Sequence, residues 1–466
     1  MIDIAVIGGG VSGLTTAWAL MRRGHNVVVL ERQVQVGGNA VSERINGFLM
    51  EHGPSTINAT VPQAGELSRA LGLDDQIVPL SDNVRSRYLA RGGDLSGIPV
   101  HPLGFLMSNY LSLSARLRLL GEAFVPRGNI TSDETVSDYF SRRFGAEFAD
   151  RIMDPLVGGL YAGRADCLSL QSVFPKLSEL EQEHGSIMRA VLKSRLNGGK
   201  MPGKRLFSWE NGVATLPQAL SRVLAGRIRT GVTVSKVRQT AGGMKIETLR
   251  HGTVQARAVV MATQPHVAAP LLEAMLPDAA EQIAGIEAPP VAVVFLGYKR
   301  DAVEHPLDGV GYLSPSTEGN ALTGTQFSST MFAGRAPEGY VSLTAYLGGA
   351  RNPDVHKAGG KGLIAMAEDE FCRLLGTRGQ PALSRVRVWS RGIPQYNIGH
   401  RDRVARIQAA TSDAAGMFVT GNYLSGPSMG ACVANAMEVS GQTSAWLNKQ
   451  TDPKEVPLPD RHVVSR

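Results

Sequence analysis

Ile2-Asp3-Ile4-Ala5-Val6-Ile7-Gly8-Gly9-Gly10-Val11-Ser12-Gly13-Leu14 stands at the head of the sequence. The apolar run from Ile2 to Ile7 suits a strand covered on both faces, as in a parallel sheet. It leads at once into GxGxxG spacing at Gly8, Gly10 and Gly13. Leu14, Ala17, Leu20 and Met21 then recur at helical spacing until Gly24, a helix stop, and Asn26-Val27-Val28-Val29-Leu30 reads as a second strand ending on Glu31. Each glycine has its own work: Gly8 allows the turn, Gly10 lets backbone approach a pyrophosphate, and Gly13 lets the helix pack closely on the strand. The helix N-terminus stabilises phosphates, and Glu31 can accept hydrogen bonds from ribose hydroxyls. A lone GxGxxG says little, but strand, glycines, helix, strand and acid in register within about 30 residues predict a dinucleotide-binding unit. The acid favours an unphosphorylated adenosine ribose, hence FAD or NAD over NADP.

Around this unit, composition sets limits. At roughly 100–200 residues per domain, 466 residues predict two to four domains, and 43% hydrophobic content can build sizeable cores. The 53 glycines, about 11% against a usual ~7%, follow no G-X-Y period, which excludes collagen and predicts tight backbone turns. Cys167, Cys372 and Cys432 form no CxxC pair and leave one over, so a disulfide framework and a zinc ribbon are excluded and a reducing compartment is expected. Lys+Arg 48 over Asp+Glu 41 gives +7, compatible with nucleic acid, anionic lipid or an acidic small molecule. With no basic n-region or cleavage site, and no run reaching ~18 apolar residues, the expectation is a chain neither secreted by an ordinary signal nor membrane-spanning.

Later segments read as further pieces of the same nucleotide unit. Phe207 to Val213 precedes an amphipathic helix with Leu216, Leu220 and Val223, then Ile228 to Val234 alternates like a strand, and Ala258 to Pro265 is another. Gly416 to Asn422 reads as a strand leading past Gly426 and Gly430 into a helix from about Val433, whose N-terminus would face an electron-rich ligand. Between these pieces, residues 102–205 look largely helical. Residues 285–390 look like an antiparallel sheet, with strands at Val291–Tyr298, Ala321–Thr330 and Tyr340–Leu347.

Beyond Glu31 come Gly37-Gly38, then Gly47-Phe48 and Glu51-His52-Gly53-Pro54. This pattern resembles the flavin-dependent amine oxidase superfamily, and the resemblance selects FAD. Asn39 departs from it, because many members carry arginine after the glycine pair. A narrower resemblance, to the protoporphyrinogen oxidase family, spans most of the chain. It is carried by Asp154-Pro155-Leu156-Val157-Gly158-Gly159-Leu160-Tyr161-Ala162-Gly163, by His305-Pro306-Leu307-Asp308-Gly309-Val310-Gly311-Tyr312-Leu313, by Gly348-Gly349-Ala350-Arg351-Asn352 and by Pro394-Gln395-Tyr396-Asn397-Ile398-Gly399-His400.

The resemblance implies an α/β chain: a Rossmann-type FAD-binding domain from residues 1–80, 206–284 and 391–448, and an antiparallel-sheet substrate-binding domain from 81–101 and 285–390. A helical, membrane-associating insert would cover 102–205, with a loosely ordered tail over 449–466. It implies oxygen-dependent oxidation of a porphyrinogen in haem biosynthesis, in three two-electron steps with peroxide as product. The flavin takes the hydride, so no catalytic side chain and no metal are expected, and His52, His101, His266 and His400 read as surface or packing residues. FAD, held without a covalent bond, is expected at Gly8, Gly10, Val11, Ser12, Gly13, Glu31, Arg32, Gly37, Gly38, Asn39, Gly53, Pro54, Val234, Ala262, Gly421, Asn422, Gly430, Cys432 and Val433. Val234 would lay its backbone on the adenine. A porphyrinogen is a flexible disc with carboxylates, so its pocket needs apolar walls and a cation. By resemblance, Arg87 holds a propionate through paired donors, Val310, Leu313 and Tyr346 form a ring-sandwiching wall, and Gly159 brings backbone close to the substrate.

Residues 186–205 carry Arg189, Lys193, Arg195, Lys200, Lys204 and Arg205 without an acid, and an apolar stretch with Leu113, Leu117 and Leu120 interleaves Arg116 and Arg118. Apolar beside basic residues describe a helix that lies in a lipid headgroup layer; the competing reading is a helix packing its apolar side inward. The expected location is the cytoplasm, peripheral on the inner face of the cell membrane. Expected partners are a porphyrinogen, molecular oxygen, an anionic lipid surface and a second copy of the chain, but not nucleic acid. Coproporphyrinogen III as substrate, an amine or polyene oxidase on the same scaffold, and an FAD-binding protein without turnover stay open as alternatives.

Overall fold

Ile2–Ile7, Val27–Leu30 and Thr253–Met261 lie side by side in parallel, each bringing an apolar run that a sheet covered on both faces can bury. The structure, a computed structural model, describes residues 2–99, 102–128, 132–196 and 206–451. His101, Lys200, Lys204, Arg205 and the tail after 451 lie outside the described residues, as does the Arg195 side chain. Ile228–Arg229 extends the sheet beyond Val27–Leu30, and Met417–Val419 pairs with the last residues of Thr253–Met261. The hairpin of Val234–Thr240 and Gly243–Thr248 pairs antiparallel with that strand's first residues, completing seven strands.

Several boundaries differ from expectation. The strand over Ile228 to Val234 is two, because Gly231 turns the chain at φ +71°, a conformation open to glycine. The Gly231 and Val232 amides then donate to the carbonyls of Gln33 and Glu31 at 3.0 and 2.8 Å. The strand over Ala258 to Pro265 stops at Met261; Pro265 begins the helix Pro265–Leu272, a position where its missing N–H costs nothing. The last helix, Met429–Thr451, starts ahead of Val433.

The second sheet also has seven strands, in the order Leu383–Trp389, Val291–Lys299, Tyr340–Gly348, Leu322–Phe327, Gly309–Leu313, Ser86–Arg91 and Asp94–Ile98. Within residues 291–389 its pairings are all antiparallel, as expected, and Gly309–Leu313 joins Ser86–Arg91 in parallel. The strand expected over Ala321 to Thr330 ends at Phe327, where a short helix takes over. One sheet face packs on the helix Gly359–Leu375 through Leu363, Ala367 and Phe371. Val291–Lys299 and Tyr340–Gly348 alternate accordingly: Val294, Leu296, Leu343 and Ala345 face that helix, and Val293 and Tyr346 point to the opposite side.

The described part of the insert is helical. Its centre is a buried charge cluster. Arg143 donates to Glu122 at 2.6 Å, to Glu181 at 2.7 Å and to the Gly185 carbonyl at 3.0 Å, all three side chains being almost fully buried. Glu122 also accepts the first amides of Ile187–Leu196, which fixes that helix. The helix Leu113–Leu120 buries Ala115 and Leu119 but turns Leu113, Leu117 and Leu120 outward, 66%, 61% and 51% exposed. Phe124, Met188, Val191 and Leu192 are exposed beside Arg189 and Lys193. Among the described residues, no helix is long and apolar enough to cross a membrane.

Candidate active site

The turn after Ile7 is closed by Glu31. Its carboxylate accepts the Gly9 amide at 2.6 Å and the Gln33 amide at 2.7 Å, tying the end of the second strand to the glycine turn and leaving lone pairs for ribose hydroxyls. Gly8 holds φ +110°, and a Cβ there would stand 2.6 Å from the Ala262 carbonyl oxygen. At Gly13 a Cβ would stand 2.0 Å from the Gly8 carbonyl oxygen, so any side chain would push the helix off the strand. The helix Val11–Arg22 starts on Gly10 with no side-chain cap, and Val11 and Ser12 open its first turn with amides that lack intrahelical partners. Gly37 bridges Gly10, Gly38 lies close over it, and Gly53 packs where a Cβ would meet the Asn39 carbonyl at 2.3 Å. Backbone is thus bared on both sides of an uncapped helix N-terminus, a cradle that fits a dinucleotide diphosphate.

Other expected cofactor residues cluster around it. Ala262 lies against Gly8 and Gly13. Val234 begins the hairpin reached from Glu31 through Val232. Gly421 and Asn422 follow the strand Met417–Val419. Thr420 is held there by Asn435 of the last helix, whose Oδ1 accepts from the Thr420 hydroxyl at 2.8 Å. Cys432 and Val433 are buried in the same core as Val11 and Leu14, and Gly430 packs on Val61. Burial pushes the Cys432 thiol up to about 11, so it is protonated and a weak nucleophile at neutral pH. Pro54 is half-buried, and Arg32 is exposed.

The expected substrate wall assembles on the sheet face opposite the helix Gly359–Leu375. Leu313, Gly324, Tyr346 and Val293 occupy one row across four strands. Gly324 has no side chain, so Leu313 fills the space above it; a Cβ there would lie 2.8 Å from Leu313 Cδ2. From the insert, Gly159 meets the same methyl, 2.4 Å from where its own Cβ would be. Tyr346 donates to Gln326 Oε1 at 3.0 Å, and burial raises its phenol well above the usual tyrosine range, which keeps it neutral. Val310 lies half-buried at the bulge between Gly309 and Tyr312.

Arg87 shares a strand and a face with Leu89, the register partner of Leu313. It is exposed, and its side chain takes no hydrogen bond or ion pair among the described residues. Arg91 is otherwise engaged, donating to the Asn109 and Tyr110 carbonyls at 2.7 and 2.6 Å.

Two elements that sequence motifs marked without a role hold this wall. Arg351 donates to the Ser314 carbonyl at 2.9 Å and pairs with Asp154 at 3.0 Å, with Gly158 leaving room for its guanidinium. Arg351 and the Gly349–Ala162 contact clamp the helix Asp154–Tyr161 to the sheet. That helix follows a π-helical turn, Ala149–Met153, whose extra residue makes room for Pro155. Tyr396, stacked on His400 with ring centres 4.1 Å apart, donates to the Asn422 carbonyl at 2.6 Å and so joins the insert side to the Asn422 turn. Burial pushes His400 down to about 4, with Arg403 adding to the effect, so it is neutral. His52 pairs with Glu43 at 2.8 Å, and His266 is exposed. Among the described residues, no group of His, Cys, Asp or Glu could hold a metal ion.

A glycine-bared Rossmann turn with its acid, joined to a second sheet against which a helical insert packs, defines a dinucleotide-binding scaffold. Residues 11–446 match the family described as flavin containing amine oxidoreductase; the chain belongs to that family, and its cofactor is FAD. It is 30% identical to the chloroplastic protoporphyrinogen oxidase of Nicotiana tabacum over 479 residues, covering 96% of this chain and 86% of that one. It is 26% identical to the coproporphyrinogen III oxidase of Bacillus subtilis over 449 residues, covering 92% and 95%. A solved protein from Exiguobacterium shares the fold with TM-score 0.83 at 22% identity, covering 96% of this chain and 99% of that one. Cyclohexylamine oxidase from Brevibacterium oxydans does so with TM-score 0.72 at 17% identity, covering 97% and 100%.

Proposed function

We propose that this chain oxidises a porphyrinogen to the porphyrin, protoporphyrinogen IX to protoporphyrin IX, with molecular oxygen as final acceptor. FAD, when bound, supplies the redox chemistry, taking two electrons in each of three steps and returning them to oxygen as peroxide. The observation that carries the reading is the row Leu313, Gly324, Tyr346 faced by Gly159, an apolar wall with one bare backbone surface, with unpartnered Arg87 along the same sheet face. A flat, apolar, carboxylated substrate suits this arrangement, and relatives bearing the names of porphyrinogen oxidases agree with it.

In this reading the chain's residues bind, orient and exclude water. Leu313, Tyr346 and Val310 press on the macrocycle, Gly159 admits it close to the helix backbone, and Arg87 holds one carboxylate. The diphosphate lies against Gly8 to Gly13 and Gly37-Gly38, with Glu31 on the ribose, Val234 at the adenine, Asn422 at the ring, and no covalent link from Cys432. The proposed domain division is residues 1–80, 206–284 and 391–448 for FAD, 81–101 and 285–390 for substrate, and 102–205 as the helical, membrane-associating insert. The outward apolar residues Leu113, Leu117, Leu120 and Phe124, flanked by Arg189 and Lys193, support docking of the insert on anionic lipid at the inner face of the cell membrane.

Aerobic incubation with protoporphyrinogen IX and, separately, with coproporphyrinogen III tests the reaction by porphyrin fluorescence and peroxide release. Faster turnover of the first is expected; faster turnover of the second moves the assignment to coproporphyrinogen, and neither product from the FAD-loaded protein refutes it. Sedimentation with anionic liposomes tests docking, and absence of pelleting at low salt refutes it.

A further inference from the structure

Arg391, His266 and Gln264 meet at a cavity of about 90 Å³ to which no role above is given, and Ile286, Pro394 and Asn422 are also in its lining. Its position follows from two chains of contact. Thr263, the residue before Gln264, packs over Gly8, within 3.3 Å of where a Cβ would stand. The Gln264 amide also donates to Asn39 Oδ1 at 3.3 Å, and Asn39 follows the pair Gly37-Gly38. With Asn422 in the same lining, the cavity adjoins both the glycine cradle and the Asn422 turn.

The lining carries Arg391 and His266 and no carboxylate. Partial desolvation lowers the proton affinity of His266, and Arg391 and Arg32 lower it further. Neither guanidinium has a hydrogen bond or ion pair among the described residues, and both are exposed. Asn39 brings no charge and has its side-chain oxygen engaged by Gln264. An exposed guanidinium without a partner, in a lining that holds no carboxylate, favours an anion, and a diphosphate is the anion that the adjoining cradle fits.

We propose that Arg391 forms the cationic side of the FAD diphosphate site, in the place that a neutral Asn39 leaves without charge. The inference rests on FAD as the cofactor, and the apoprotein tests the two separately. Wild-type apoprotein is titrated with FAD and with riboflavin, which lacks phosphates; failure to bind FAD overturns the cofactor assignment and this inference together. Given wild-type binding, Arg391→Ala weakens FAD about tenfold, about 1.4 kcal/mol, and leaves riboflavin unchanged. High salt narrows the difference, and Asn39→Lys in the Arg391→Ala background restores affinity for FAD. Unchanged FAD affinity in Arg391→Ala, or an equal loss for riboflavin, overturns the inference.

Discussion

Gly159→Ala puts a methyl carbon 2.4 Å from Leu313 Cδ2, and the next nearest atoms are Leu313's own Cδ1 and Cγ at 3.5 and 3.6 Å. Carbon atoms in contact sit about 3.8 Å apart, so Leu313 must retreat by roughly 1.4 Å. On its other side the same methyl already rests over Gly324, so the retreat is away from both glycines, onto the face proposed to meet the substrate. Overpacking costs about 1–3 kcal/mol, while replacing a helical glycine by alanine returns up to about 1 kcal/mol. The net loss of stability is therefore small, about 0–2 kcal/mol. The substrate meets the displaced methyl in full, so KM for the porphyrinogen rises about tenfold, about 1.4 kcal/mol, with FAD content unchanged. Leu313→Ala removes the obstacle, and the double variant binds substrate better than the two single effects predict, by at least about 1 kcal/mol. Steady-state fluorescence assays on the four proteins, with thermal melts alongside, decide the matter. Additive effects, or an unchanged KM in Gly159→Ala, would mean that this face does not meet the substrate.

Arg87→Ala raises KM about tenfold while FAD occupancy, read from the flavin absorbance, stays at the wild-type level; loss of flavin would assign Arg87 a structural role instead. Arg143→Met leaves Glu122 buried without its cation, while Glu181 keeps Arg142, and costs about 3–5 kcal/mol in denaturant unfolding. Burial alone would raise both carboxyls, but hydrogen bonds from Ser186, Met188 and Arg143 at Glu122, and from Arg142 and Gly128 at Glu181, outweigh it and hold them below the ordinary glutamate value. Their contribution is therefore complete above the unfolded value of 4.5 and is lost as pH falls below it; wild-type stability that is flat through this acid window would contradict the network.

The nucleotide unit was legible in the sequence because its signals are local: an apolar strand, three spaced glycines, a periodic helix and an acid fall within one short stretch. The helix Gly359–Leu375 was overlooked because it opens Gly359-Gly360-Lys361-Gly362, a poor helical start, although Leu363, Ala367 and Phe371 keep the spacing of one buried face. The parallel joint between Gly309–Leu313 and Ser86–Arg91 joins strands more than 200 residues apart, which no local pattern encodes. Resemblance marked Arg351 and Tyr396 as members of motifs, but their partners, Asp154, Ser314 and Asn422, appear only when the chain is folded. Glycines such as Gly158 and Gly324 read as turns in a sequence; in the structure they are vacant space that an arginine and a leucine fill.

The π-helical turn Ala149–Met153 also makes the insert's register depend on its exact residue count. Removing one residue there would return the segment to ordinary α-helical winding, in which the Pro155 ring meets the carbonyl four residues back, a conflict of about 3 kcal/mol. The helix that sets Gly159 against Leu313 and Asp154 against Arg351 would then bend at Pro155, although none of those side chains had been altered. Point substitutions in this stretch are therefore tolerable where a one-residue deletion is not, and the length from Ala146 to Tyr161 is as much a part of the cleft's specification as any residue lining it.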